Sequence, residues 1–131
     1  MTSNATRLRA QFAGPDMVIA PGAYDGITAR LVEQAGFPAI YMTGAGTAAT
    51  IGFPDYGLVT MSEMAENAER ITRAVKVPVI VDADTGYGNE LNVVRTVREY
   101  ERRGVAALHL RSEEHTSESS HTDISRMPSS A

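Results

Sequence analysis

Two aspartates separated by one residue, Asp82-Ala-Asp84, are the strongest chemical feature of this 131-residue sequence. They follow the apolar run Pro78-Val-Ile-Val81 and precede Thr85-Gly-Tyr-Gly88. On an extended strand end, residues two apart point to the same side. Two carboxylates so placed repel unless a proton or a cation lies between them. A hard divalent ion suits them, because magnesium takes one or two carboxylates and keeps waters that substrate oxygens can replace. Gly86 and Gly88 let the backbone approach a ligand closely. The competing reading is a carboxylate pair that caps the next helix and closes a turn.

Other positions carry weaker signals. Thr43-Gly44-Ala45 offers a hydroxyl and backbone N–H groups to an anionic substrate, or else forms a tight turn. Asp25 has the setting of a helix N-cap. Asp55 lies in a Pro-Asp-Tyr-Gly turn, where aspartate is common for local reasons. His109 sits within an apolar run and reads as a hydrogen-bonded core residue.

These positions fall where short apolar runs end. The runs are Asp16–Ala20, Ala39–Met42, Pro78–Val81 and Val105–Leu110, each continuously apolar rather than alternating, as in strands of a parallel sheet buried on both faces. Helical patterns lie between them. A short helix is predicted over 6–12. A second starts at Asp25 and runs to about Gln34, with Ile27, Leu31, Val32 and Ala35 on its apolar face and Gly36 as its stop. Thr60-Met-Ser-Glu63 is a capping box, opening a helix with Met61, Met64, Ala65, Ala68, Ile71 and Val75 on one face. Asn89 opens a helix with Leu91, Val94, Val97 and Tyr100, closed by Gly104. The stretch after Gly46 reads as a long loop rich in Gly, Ala and Thr. The βαβαβαβ pattern closes either as a doubly wound open sheet or as part of a barrel. In both, ligands bind at the carboxyl ends of the strands, where the residues above cluster.

Composition excludes several classes. The chain is 43% apolar and 21% charged, with formal net charge -4 and no cysteine or tryptophan. The acidic balance disfavours nucleic acid and anionic membrane surfaces as partners. Absence of cysteine removes disulfides, thiolate metal sites and thiol nucleophiles. No apolar run approaches the length of a membrane span, and Met1 to Arg9 is polar, so a cytoplasmic protein is expected.

Pro21-Gly-Ala-Tyr-Asp25, Tyr41-Met-Thr-Gly-Ala-Gly46, Gly52-Phe-Pro-Asp-Tyr-Gly57 and Val79-Ile-Val-Asp-Ala-Asp-Thr-Gly-Tyr-Gly-Asn89 resemble the isocitrate lyase / phosphoenolpyruvate mutase superfamily. Its methylisocitrate lyase, dimethylmalate lyase and oxaloacetate decarboxylase branch is the most similar. The resemblance spans roughly residues 5–110. It implies a (β/α)8 TIM barrel, of which these residues form the front half, and assembly as tetramers. It implies Mg²⁺ or Mn²⁺ and small 2-oxo or 2-hydroxy carboxylate substrates, cleaved through an enolate whose oxyanion the metal stabilises. By the same resemblance Asp82 and Asp84 hold the metal, directly or through water. Asp55 orients a metal-bound water, Thr43, Gly44 and Ala45 bind the substrate carboxylate, and Tyr41 lines the pocket.

The departures from the family pattern are equally specific. Relatives follow His109-Leu110 with Glu-Asp, whereas this chain has Arg111. The lyase branch then carries a Lys-Lys-Cys-Gly-His loop with the acid/base cysteine, absent here, so no catalytic acid/base is assigned. Seven serines lie between Arg111 and Ala131. Arg111-Ser-Glu-Glu-His-Thr-Ser-Glu118 looks like a translated sequencing adapter, since AGA TCG GAA GAG CAC ACG TCT GAA encodes it; Ser119-Ser120-His121 departs from the usual read-through. The expectation is therefore a partial barrel over 1–110 and a non-native, disordered tail over 111–131, the other reading being a natural Ser-rich tail. The parent is expected to be a lyase or decarboxylase, and the 131-residue chain to be inactive and without a stable oligomeric state. The alternatives are a phosphonate mutase or hydrolase of the same superfamily, and a short non-enzymatic binding module.

Overall fold

The computed structural model describes residues 2–112. The element order is α1 (Asn4–Ala13), β1 (Gly22–Ala23), α2 (Gly26–Gln34), β2 (Ile40–Met42), α3 (Gly44–Thr50), α4 (Met61–Ala74), β3 (Val79–Asp82), α5 (Glu90–Arg102) and β4 (Ala107–His109). Expectations for the tail from residue 113 onward lie outside the described residues. Among the described residues no helix is long and apolar enough to cross a membrane.

The strands are all parallel and lie in the order β1-β2-β3-β4. A doubly wound sheet reverses its strand order at a switch point. Here every crossover advances in one direction, which resolves the two closures in favour of a barrel. Period-two alternation divides the sheet into two faces. Ile40, Met42, Val79 and Val81 are buried against the helices, with Ala65, Ala68 and Ile71 of α4 in the same core. Tyr41, Ile80 and Asp82 point to the opposite face and are only half-buried. The four strands, with the helices that follow the first three, have the arrangement of the front half of a (β/α)8 barrel.

The capped helices form as their sequences dictate. Asp25 accepts from the Thr28 N–H at 2.8 Å and completes a capping box before α2. Thr60 and Glu63 make the reciprocal pair before α4. The whole predicted face of α4 is turned inward, with Met64, Ala65, Ala68 and Ile71 buried. A large apolar side chain such as Ile71 contributes ~2 kcal/mol by leaving water.

Five expectations are corrected. Asp16–Ala20 is not a strand: among the described residues β1 pairs only with β2, and its ladder begins where the Tyr41 N–H donates to the Pro21 carbonyl at 3.0 Å. Met17 is accordingly 87% exposed. The stretch after Thr43 is a helix, not a loop, because Thr43 caps it and Thr47 and Ala48 are buried beneath it. On α2, Ala29 is the buried residue and Ile27 and Leu31 face outward, since small side chains let the helix lie close to the sheet. On α5, Thr96 and Tyr100 are buried while Leu91 and Val94 are exposed, because α4 covers only one side of that helix. His109 lies on β4, which among the described residues pairs only with β3, and is exposed rather than part of the core.

Candidate active site

β3 delivers Asp82 at its last position, next to His109 across the β3–β4 register. The chain then turns sharply. Ala83 is fully buried, its carbonyl accepts from the Gly86 N–H at 2.9 Å, and Asp84 takes a left-handed φ of 49°. Asp82 and Asp84 therefore meet through a turn and not through strand alternation: the Asp84 N–H donates to Asp82 Oδ1 at 2.9 Å. The turn is held from below by Thr96, whose buried hydroxyl donates to the Gly86 carbonyl at 2.9 Å. Gly86 has φ 96°, and a Cβ there would strike Val93 of α5, so only glycine fits.

β2 delivers Tyr41 and Thr43. Thr43 caps α3, accepting from the Gly46 N–H at 3.2 Å, while the Thr47 N–H returns to the Thr43 carbonyl. The N–H groups of Gly44 and Ala45 precede that ladder. Gly44 packs directly on the aspartate pair: a Cβ on it would stand 2.7 Å from Asp82 Oδ2. Asn67 of α4 ties this corner together by donating to the Tyr24 carbonyl at 3.0 Å and to the Thr47 hydroxyl at 3.1 Å.

One cleft of about 30 Å³ is lined by Gly44, Asp55, Asp82, Asp84, Tyr87 and Arg111, among others. That volume holds about one or two waters, not a branched tricarboxylate. Of the residues expected from sequence, Gly44, Asp55, Asp82 and Asp84 meet there. Thr43 and Ala45 adjoin it through α3 without lining it. Tyr41 stands beside it, its hydroxyl 3.0 Å from His109 Nδ1. Burial first, then the Asp82 charge, pushes the Tyr41 phenol up to about 12, with Arg111 opposing. Tyr41 therefore keeps its proton and can share it with His109.

Sequence reasoning assigned no role to Tyr87 or to the Tyr41–His109 pair. Tyr87 has φ 65° and lies between two positive-φ glycines, a signal visible in Gly86-Tyr-Gly88. Its phenol is raised far above the usual value, by burial first and then by Tyr100 and the two aspartates.

Arg111 is the unexpected occupant. Its Nε and one terminal nitrogen donate to Asp84 Oδ1 at 3.2 and 2.9 Å, and its backbone N–H donates to the Asp84 carbonyl at 3.0 Å. The hydrogen bond to Asp84 is the largest influence raising its pKa, burial opposes it, and the charges of Asp84, Asp82 and Asp55 add to it. The hard carboxylate oxygens suit a divalent ion in chemistry. With Arg111 on Asp84, the residues as arranged do not fit one. Among the described residues no group of three or more His, Cys, Asp or Glu side chains gathers as a ligand set.

Comparison with known proteins places this geometry. The model of the phosphoenolpyruvate phosphomutase family matches residues 8–129. The 2,3-dimethylmalate lyase of Eubacterium barkeri is 51% identical over 109 residues, covering 82% of this chain and 38% of that protein. The 2-methylisocitrate lyase of Aeropyrum pernix is 53% identical over 95 residues, covering 72% of this chain and 31% of that protein. A crystal structure of phosphonopyruvate hydrolase complexed with oxalate and Mg²⁺ superposes with TM-score 0.80 at 34% identity, covering 83% of this chain and 38% of that one. The chain thus spans well under half the length of these relatives. With its strand order, its aspartate turn and these matches, the chain belongs to the isocitrate lyase / phosphoenolpyruvate mutase superfamily.

Proposed function

We propose that the whole protein containing these residues is a carbon–carbon lyase or decarboxylase. Its substrates are small 2-oxo or 2-hydroxy carboxylates of methylisocitrate, dimethylmalate or oxaloacetate type. The observation that carries this reading is the convergence of Gly44, Asp82 and Asp84 at the carboxyl ends of adjacent strands, the end at which barrel enzymes act. Identity supports the lyase branch, since relatives at 51% and 53% are named lyases and the phosphonopyruvate hydrolase stands at 34%. The second reading, phosphonate mutase or hydrolase chemistry, is favoured by the family match and by a phosphoenolpyruvate phosphomutase structure at 44% identity.

In either reading the residues of this half divide the work. The N–H groups of Gly44 and Ala45, with the Thr43 hydroxyl, hold a substrate carboxylate. Tyr41 stays protonated and orients His109. Mg²⁺ or Mn²⁺ and tetramer assembly belong, in this proposal, to the whole protein. Residues 1–110 belong to the barrel and 111–131 are foreign to it.

The 131-residue chain is inactive in this proposal. No turnover of oxaloacetate, 2-methylisocitrate or phosphonopyruvate is expected from the purified chain, and turnover of any refutes inactivity. Resequencing the source DNA across the Leu110 codon tests the assignment itself. Continuation as Glu-Asp and a Lys-Lys-Cys-Gly-His loop supports the lyase. A genomic Arg111 to Ala131 withdraws an enzymatic function in favour of a non-enzymatic module.

A further inference from the structure

A guanidinium stands where the resemblance puts an ion. Asp55, Asp82 and Asp84 line one cleft with Arg111, the same three aspartates that the resemblance assigns to a metal and its water. The Arg111 side chain is partly exposed, yet it is held at two points. Two of its nitrogens share Asp84 Oδ1, and its main chain is pinned to the Asp84 carbonyl at 3.0 Å. A planar fork fixed at its base loses little freedom when it binds a carboxylate. It carries its charge at every working pH, because arginine does not deprotonate in proteins.

We propose that Arg111 is a built-in counter-ion of the Asp82–Asp84 turn, occupying the place of a divalent cation and thereby keeping one out of this chain. The inference rests on reading Asp82 and Asp84 as a cation-holding pair. An incoming ion would have to displace the guanidinium from Asp84 or sit beside a like charge. Asp82 is a poor substitute by itself: Oδ1 is engaged by the Asp84 N–H, and Oδ2 lies against Gly44.

The test is Mn²⁺ binding, followed through loss of the free-ion electron paramagnetic resonance signal. The proteins are the 131-residue chain, Arg111→Gln, and Arg111→Gln combined with Asp84→Asn, each checked by circular dichroism. The unaltered chain is expected to bind weakly. Arg111→Gln is expected to bind at least about tenfold more tightly, since repulsion of a divalent ion is removed. Asp84→Asn should abolish that gain. Equal affinity of the unaltered chain and Arg111→Gln overturns the counter-ion while leaving the cation-pair reading intact. Absence of binding in all three overturns both. Should Arg111→Gln not fold, the unaltered chain decides: equimolar Mn²⁺ should leave the Arg111 Nε–H nuclear magnetic resonance signal sharp, and paramagnetic broadening overturns the proposal.

Discussion

Gly44 is a position where one methyl group decides local structure. Its missing Cβ is the space that Asp82 Oδ2 occupies. Gly44→Ala should drive the carboxylate and α3 apart, destabilising the chain by about 1–3 kcal/mol in chemical denaturation. Thr96→Val tests the support beneath the aspartate turn. It removes a buried donor and strands the Gly86 carbonyl, so a loss of about 1–3 kcal/mol is expected. Alkaline pH probes the phenols. Burial is the first cause holding both Tyr41 and Tyr100 up at about 12. Unfolded tyrosine ionises near its ordinary value of 10, so between pH 10 and 12 the unfolded chain binds fewer protons. Stability should therefore be intact below pH 10 and fall as pH rises from 10 to 12. Tyr100→Phe should flatten part of that slope at little cost near neutrality. The Tyr100 hydroxyl is buried near Tyr87 but makes no well-formed hydrogen bond, so its loss leaves little behind.

The helices show which local signals survive packing. Thr60→Ala removes the hydroxyl that accepts from the Glu63 N–H at the start of α4, while the Thr60 N–H can still donate to Glu63, and should cost about 1 kcal/mol, read from a urea transition. That box, the Asp25 cap and the inward face of α4 were legible because each depends on residues within one or two turns. The predicted faces of α2 and α5 were not, since a periodic stripe does not say which neighbour will cover it. Ile27, Leu31, Leu91 and Val94 carry the right spacing and remain exposed. At the site, the identity of Asp82 and Asp84 was legible, but their meeting through a left-handed Asp84 was not. Sequence also flagged Arg111 as a misfit without showing that it reaches Asp84. A contact across 27 residues leaves no local pattern.

The half-barrel leaves Ile27 and Leu31 of α2 and Leu91 and Val94 of α5 exposed, and among the described residues β4 has an unpaired edge. Exposed strand edges and contiguous apolar patches promote association. Light scattering from the purified chain should rise with concentration without settling at the mass of a defined oligomer, and a sharp monomer at all concentrations would contradict this. Lysine at Ile27 and Leu31 should lower that scattering while leaving the buried side of α2 intact.

The unbroken order of the strands has one more effect, on the ribosome. Each strand pairs with the strand made just before it, so each pairing in this sheet can close as soon as its second strand is made. Domains emerge from synthesis with the N-terminus first. Translation can thus lay this sheet down one βα unit at a time, so that the order of synthesis is also an order of assembly.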